Sequence, residues 1–163
     1  MEQEKFLLAP LPKNKTGRIY CGPTVLTLLT GMEYPKLRAT INRLRNSKMK
    51  GCKNPHYRKL NRPVKGMFNY ETEILLKKFG LKPDFTSVEK NPYKTLRHMA
   101  DATKHLKTPF VVNVTRHYMI LLEGVAYDTA KPEGVPAEDH PYSLKRVACF
   151  WRIRSKSKVQ PVS

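Results

Sequence analysis

A dense run of β-branched and aromatic residues after Pro109 constrains the fold of this 163-residue chain more than any other feature. Four apolar segments lie in this part of the chain, at 110–114, 117–122, 124–128 and 146–153. Short apolar segments bounded by turn residues are typical of adjacent strands, and Glu123-Gly124 has the composition of a tight turn between two of them. We therefore predict an antiparallel sheet, which the last segment closes.

The chain before this run has the residue spacing of helices. Apolar positions that recur every three or four residues predict helices over 23–29, 35–46, 70–79 and 92–105, with a short strand over 82–86. Pro23 suits a first helical turn and Gly31 ends that helix, so Cys21 falls at or just before its N-terminus. Asn69 is the expected cap of the third helix. Helices followed by an antiparallel sheet predict an α+β fold.

The length of the chain is sufficient to bury one core, so we predict a single domain over 1–163. Within it, 1–13 is expected to be an extended lead-in, because prolines interrupt any periodicity there. The segment 47–66 is basic and poor in apolar residues and predicts a loop that contacts substrate. The polar residues 155–163 predict a frayed tail.

The charge of the chain is strongly positive. Lys and Arg number 31 against 13 Asp and Glu, for a formal net charge of +18. Such a field favours nucleic acid, an acidic protein face or an anionic membrane surface as a partner, although it equally serves solubility. No arginine-rich arm or aromatic-interleaved nucleic-acid motif accompanies it.

The cysteines and the N-terminus predict a cellular compartment. Three cysteines, none in a Cys-x-x-Cys pair, cannot all pair in disulfides, which favours a reducing environment. The first residues are acidic and resemble neither a signal peptide nor an anchor, and no segment has the roughly 20 apolar residues that a membrane span needs. We expect a cytoplasmic protein, or one of the host cytoplasm or virion if its source is viral.

Three side chains have the chemistry of a cysteine nucleophile site. Cys21 lies at a helix start, where the positive end of the helix dipole stabilises a thiolate. His117 begins a predicted strand and Asp128 ends the next, so the intervening turn brings them side by side. We expect Cys21 to be the nucleophile, His117 its imidazolium partner and acid, and Asp128 the group that orients the ring. Asp139 and Asn113 are poorer candidates for this third role.

Each of these residues also has a purely structural reading. A buried cysteine is usually a small hydrophobe, His117 could be a satisfied histidine of the sheet, and Asp128 could cap the turn before Thr129. Cys149, in an apolar segment beside Phe150, is expected to be a core residue.

The order of these motifs resembles the papain-like cysteine peptidases. Cys21-Gly22-Pro23-Thr24, the segment 116–121 and the segment 124–129 are similar to that superfamily's nucleophile, histidine and third-residue elements. The pattern is nearest to bacteriocin-leader-processing peptidases and small papain-like proteins of bacteria and bacteriophages, and spans about 14–153. The resemblance implies a papain-like fold, with the nucleophile at the N-terminus of a helix packed on a C-terminal antiparallel sheet, and a protein or peptide substrate.

The chain departs from the family pattern at the oxyanion site. Six residues before the nucleophile, where the family usually has glutamine, this chain has Lys15, and the nearest amide is Asn14. Asn14 is therefore our candidate for the side chain that donates to the oxyanion, together with the backbone N–H of Cys21.

We predict neither a metal nor a cofactor. Cys52 and His56 have a spacing compatible with zinc, but the other histidines, 98, 105 and 140, provide no matching local pair. No phosphate-binding glycine loop or paired-carboxylate site is present in the sequence.

Two classes of function remain open at this point. The ordered triad favours a thiol hydrolase, a peptidase or isopeptidase that forms a thioester, and the same triad would also serve acyl transfer to an amine. The missing glutamine and the positive charge favour an inactive papain-like scaffold that binds nucleic acid or an acidic protein.

Overall fold

The computed structural model describes residues 8–9, 20–48 and 59–156. Most of the predicted lead-in, the centre of the predicted basic loop and all but the start of the predicted tail lie outside the described residues. Where the tail was predicted to begin, the last strand still continues, to Lys156.

The described chain has an α+β architecture, as predicted. The four α-helices are α1 (Cys21–Thr30), α2 (Tyr34–Lys48), α3 (Asn69–Lys78) and α4 (Leu96–Thr103). The six strands are β1 (Leu81–Thr86), β2 (Phe110–Val114), β3 (His117–Leu122), β4 (Val125–Tyr127), β5 (Val135–Pro136) and β6 (Val147–Lys156). A 3-10 turn over Ala137–Asp139 follows β5 directly. Neither β5 nor this turn was predicted, because both are too short to show a period.

The strands form one antiparallel sheet in the order β1-β6-β2-β3-β4-β5. The prediction that the last strand closes the sheet was wrong. Strand β6 lies between β1 and β2, where Trp151 is paired with Phe85 on one side and Val111 on the other. A central strand is hydrogen-bonded on both edges, which suits the apolar composition of 147–153.

Apolar side chains cover both faces of the sheet. On one face, α1, α2 and α3 pack against a cluster that includes Val111, Ile120 and Trp151. On the other, α4 and the 3-10 turn pack against a cluster that includes Val112 and Leu121. The alternation along each strand divides neighbouring residues between the two clusters. Cys149 is buried in the first cluster, which confirms its prediction as a core residue.

Helix α1 begins and ends close to the predicted positions. Gly31 adopts φ 72°, the left-handed conformation that ends many helices, and its N–H donates to the Thr27 carbonyl at 2.8 Å. The interior of α1 is buried almost throughout, from Gly22 to Leu29. Cys21 at its first position therefore stands at the edge of the core.

The prediction for the start of α3 was wrong by one residue. Asn69 is the first helical residue rather than the cap, and Phe68 precedes the helix. Glu71 accepts from the Phe68 backbone N–H at 3.0 Å and so stabilises the helix start. The Asn69 amide is used in a tertiary contact instead: its Oδ1 accepts from the Tyr118 hydroxyl at 2.6 Å.

Helix α4 is shorter than predicted. It begins after Thr95, whose side chain accepts from the His98 backbone N–H at 3.1 Å, a conventional N-cap.

No helix in the described part of the chain is long and apolar enough to cross a membrane.

Candidate active site

Cys21 occupies the first position of α1, where backbone N–H groups have no partner within the helix. Helix α1 packs against β3, the strand that begins with His117. The His117 ring and the backbones of Tyr118 and Gly22 lie close enough to the Cys21 sulfur to lower the pKa of the thiol. The thiol is thus placed where both a helix terminus and an imidazole stabilise its ionised form.

His117 is presented by a tight hairpin turn between β2 and β3. The turn residues Thr115 and Arg116 have φ 49° and 64°, and Val114 is paired with His117 across it. Two successive positive φ angles are typical of a type I′ turn, which normally contains Asn and Gly. Because a β-branched threonine rarely adopts positive φ, this turn is strained next to the candidate histidine.

Asp128 follows β4 and lies beside His117, as the sequence predicted. Its Oδ2 lies 2.9 Å from His117 Nε2, and its side chain is only 3% exposed, against 23% for His117. With Nε2 bound to Asp128, Nδ1 is the ring nitrogen that remains for Cys21. The three groups therefore form a chain of contacts from carboxylate through imidazole to sulfur.

A hydroxyl contact ties Asp128's segment to the nucleophile helix. Thr129 Oγ1 donates to Thr24 Oγ1 at 3.1 Å, and Thr24 in turn donates to the Tyr20 carbonyl at 2.9 Å. Thr24 lies one helical turn after Cys21. This contact limits movement of the β4 end relative to the start of α1.

The site's electrostatics favour a thiolate facing an imidazolium. Burial alone would raise the pKa of the Cys21 thiol, but its hydrogen bonds, with the His117 bond first among them, lower that pKa below its ordinary value. The bond to Asp128, followed by that to Cys21, outweighs partial burial and raises the pKa of His117 to about 9. Burial would likewise raise the pKa of Asp128, yet bonds from His117, the Lys131 backbone and His140 lower it to about 2.

Cys149 provides a contrast within the same protein. Its thiol accepts from Asn69 Nδ2 at 3.4 Å, but burial dominates and raises its pKa. It has no histidine partner among its hydrogen bonds, and it is 1% exposed. The two described cysteines thus have opposite pKa shifts because of their surroundings.

His140 joins the site, although the sequence did not predict it there. Its Nε2 lies 2.9 Å from the same Asp128 oxygen that binds His117. The sequence offers no spacing signal for this contact, since His140 comes at the end of an irregular segment after β5. Only the return of this segment past β4 brings the two residues together.

A cavity of about 520 Å³ opens between α2 and the start of α3. Its walls include Arg45, Met67 and the exposed aromatic residues Phe68 and Tyr70. Met67 also packs so closely on Gly22 that a Cβ at Gly22 would lie 2.7 Å from the Met67 sulfur. Met67 therefore contacts both this cavity and the start of α1.

The remaining predicted site residues have different outcomes. Asn14, Lys15, Cys52 and His56 lie outside the described residues. Asn113 lies on β2, where it is paired with Tyr118, and its side-chain oxygen is buried with no hydrogen-bond partner in the described part of the chain. Among the described residues, no group of three or more His, Cys, Asp or Glu side chains is arranged to bind a metal ion.

Comparisons with protein families, with curated proteins and with solved structures find no match to this chain.

Proposed function

We propose that this protein is a papain-like cysteine hydrolase, acting on a peptide or isopeptide bond through Cys21, His117 and Asp128. The observation that carries the proposal is the hydrogen bond between Asp128 and His117, together with the His117 ring being close enough to Cys21 to lower the pKa of its thiol. These residues are separated by up to 107 positions in the chain, so local structure alone would not bring them together. The position of Cys21 at a helix N-terminus adds independent support.

The first half of the reaction uses the ion pair. The Cys21 thiolate attacks the carbonyl carbon of the scissile amide, forming a carbon–sulfur bond and placing the electron pair on the carbonyl oxygen. When this oxyanion collapses, the carbon–nitrogen bond breaks and the His117 imidazolium transfers its Nδ1 proton to the leaving nitrogen. Asp128 retains its bond to Nε2 throughout and stabilises the charged ring before this transfer.

The second half regenerates the thiolate. Neutral His117 accepts a proton from water as the water oxygen attacks the thioester carbonyl carbon. The carbon–sulfur bond then breaks, which releases the acid product and restores the thiolate–imidazolium pair. An amine in place of water would give acyl transfer with the same groups.

The cavity beside Met67 is a candidate binding site for part of a peptide substrate. Its volume lies in the range of ordinary ligand pockets, and its walls combine aromatic side chains with two arginines and Glu71. Met67 also packs on Gly22, so a substrate that extends from this cavity along Met67 would approach the start of α1.

The pH dependence of Cys21 alkylation tests the proposal. Iodoacetamide modification at each cysteine is followed by peptide mass spectrometry in the native chain and in His117→Ala. We expect Cys21 to be alkylated at a pH well below that at which ordinary thiols react. In His117→Ala, this reactivity at low pH should be lost. An ordinary Cys21 pKa that is insensitive to His117 would overturn the proposal.

Cys149 is the internal control, because it is buried and has no histidine partner among its hydrogen bonds. A fluorogenic peptide and isopeptide library then provides the functional test, with Cys21→Ser as the inactive control and Cys149→Ser as the matched thiol variant. We expect turnover to be lost in Cys21→Ser and retained in Cys149→Ser.

A second candidate function, binding to a polyanion on a catalytically inactive scaffold, is favoured by the net charge of +18. Its test is the salt dependence of binding to DNA, RNA and polyglutamate by Cys21→Ser. Affinity that falls steeply and linearly in log–log form with salt concentration would support it, whereas no association at low salt would exclude it.

A further inference from the structure

Asp128 is bound by two histidines at one oxygen. Both His117 Nε2 and His140 Nε2 lie 2.9 Å from its Oδ2, while the backbone N–H of Lys131 donates to its Oδ1 at 2.8 Å. The side chains of Asp128 and His140 are each 3% exposed. Both carboxylate oxygens are therefore engaged, and the contact between Asp128 and His140 is shielded from water.

The second ring nitrogen of His140 determines its tautomer. Nδ1 accepts a hydrogen bond from the Tyr142 backbone N–H at 2.9 Å. A nitrogen that accepts cannot carry a proton, so the proton is on Nε2 and the ring is a neutral donor to Asp128. By contrast, the Asp128 carboxylate faces Nε2 of His117, and the Cys21 thiol faces its other nitrogen. The second nitrogen can therefore gain or lose a proton during the reaction.

Tyr142 holds the two rings in a common arrangement. Its ring meets the His117 ring edge-on, with centroids 5.3 Å apart, and the His140 ring in a similar way at 5.7 Å. The same residue thus fixes the His140 tautomer through its backbone and packs against both imidazoles through its side chain.

We propose that His140 is a positioning residue of the active site, whose Nε2–H holds the Asp128 carboxylate in the orientation that presents Oδ2 to His117. The inference rests on the proposed function, since it assigns His140 a part in the same reaction. The backbone donor on Oδ1 and the partly exposed His117 ring leave the carboxylate some freedom to rotate about its Cβ–Cγ bond. The neutral His140 donor limits this rotation without adding a charge that would compete with the imidazolium.

The first experiment measures the ring nitrogens of the unmutated protein by long-range proton–nitrogen NMR. We expect His140 to be the Nε2–H tautomer at pH 7, and the His117 Nε2–H proton to give a low-field resonance that exchanges slowly. A His140 ring protonated at Nδ1 would overturn the proposal whether or not any variant folds.

Variants then separate positioning from packing. His140→Phe keeps an aromatic ring but removes the donor, and His140→Gln restores an N–H. In His140→Phe we expect the proton affinity of Asp128, followed by carboxyl carbon-13 NMR, to increase about tenfold and the His117 resonance to lose its protection. His140→Gln should recover part of both. Wild-type behaviour in His140→Phe, or no recovery in His140→Gln, would contradict the proposal.

His98 offers a matched control. Its Nδ1 also accepts from a backbone N–H, that of Lys94 at 3.1 Å, and its ring also meets a tyrosine edge-on, Tyr93 at 5.6 Å. No carboxylate is hydrogen-bonded to His98 in the described part of the chain. His98→Phe should leave the Asp128 titration and the His117 resonance unchanged.

The same measurements in Cys21→Ala separate this inference from the proposed function. The contacts among His117, Asp128 and His140 do not involve the sulfur, so their NMR signatures should persist without it. An unreactive Cys21 in the native chain would contradict the proposed hydrolase function. NMR signals of Asp128 and His117 that do not change when His140 is replaced would contradict only the positioning role of His140.

Discussion

At the scale of single residues, the surroundings of each side chain decide its chemistry. Cys21 and Cys149 are the same residue type, yet hydrogen bonds with His117 as the leading partner lower the pKa of the first, and burial raises that of the second. Asp128 remains ionised in a buried site because three donors surround it. The contacts of each of these side chains, and not its residue type alone, therefore set its pKa.

Asp128→Asn should weaken the ion pair without removing the hydrogen-bonding group. Losing the carboxylate charge lowers the pKa of His117 from about 9, so the imidazolium stabilises the thiolate less and the pKa of Cys21 rises. We expect turnover to fall by about 100-fold or more at neutral pH. The pH profile of Cys21 alkylation measures the shift. Asp139→Asn, which changes an exposed carboxylate of the 3-10 turn, is the control and should behave as wild type.

Gly22→Ala should disturb the start of α1. The added Cβ would lie 2.7 Å from the Met67 sulfur and 3.3 Å from the Met67 Cβ, so the Met67 side chain must shift. Overpacking of this kind costs about 1–3 kcal/mol. Urea unfolding measures the loss. Gly66→Ala is the matched control, since a Cβ there meets nothing within 4 Å, and an equal loss in both variants would refute this explanation.

At the scale of elements, two connections position the site. The Thr115-Arg116 turn begins β3 and thereby places His117. A partly buried ion pair joins α2 to α3: Arg45 Nε lies 2.7 Å from Glu71, and the two side chains are 26% and 3% exposed. Arg45 also donates to the Gly66 carbonyl. This second connection fixes the segment that packs on Gly22.

Replacing the strained turn with Asn-Gly, as Thr115→Asn with Arg116→Gly, should stabilise the protein. Both new residues tolerate positive φ, so the strain of the native turn is relieved and the expected gain is about 1 kcal/mol. Thermal unfolding would show it. Glu123→Asn serves as the comparison, because that turn already contains Gly124 and should gain less. A decrease in stability would mean that the native turn is not strained.

Arg45→Met should destabilise the protein strongly, because it leaves the buried Glu71 carboxylate without its charged partner. Breaking one side of a buried pair costs about 3 kcal/mol. Lys77→Met is the matched control. Lys77 lies 3.2 Å from Glu73, and the two side chains are 63% and 35% exposed, so the loss of stability should be small. Chemical denaturation compares the two, and similar losses would contradict the assignment.

At the scale of the whole molecule, the candidate site links stability to pH. The pKa of Asp128 is about 2 in the folded state and 3.8 when unperturbed. Its ionised form therefore favours folding above about pH 4, and this contribution is lost as pH falls through 2. The net charge of +18 grows further over the same range, because other carboxylates are neutralised.

We therefore expect the free energy of unfolding to fall between about pH 4 and pH 2, with about 2 kcal/mol of the decrease due to Asp128. Urea titrations at several pH values in Asp128→Asn should show a flatter dependence. Asp84→Asn, at an exposed pair with Arg154, should retain the wild-type slope. A slope unchanged in Asp128→Asn would show that other groups cause the acid sensitivity.

Much of the fold was predictable from local pattern. The spacing of apolar residues placed α1, α2 and β2 to β4 close to their observed bounds, since period and turn residues depend on near neighbours. The same reasoning failed at Asn69. Its side-chain amide does not cap the helix but accepts a hydrogen bond from Tyr118, which is 49 positions away in the chain. It also failed for β6, because the partner of a strand is not encoded in its own composition.

The sequence by itself predicted the four helices, the longer strands and their order in the chain. It also predicted the candidate residues Cys21, His117 and Asp128, because each lies at the end of an element that local pattern defines. Only the tertiary structure decided that β6 is central and that His140 binds Asp128. The physical reason is the same in both cases. Hydrogen bonds between distant residues depend on where irregular segments return in space, and such segments have no period from which that return can be read.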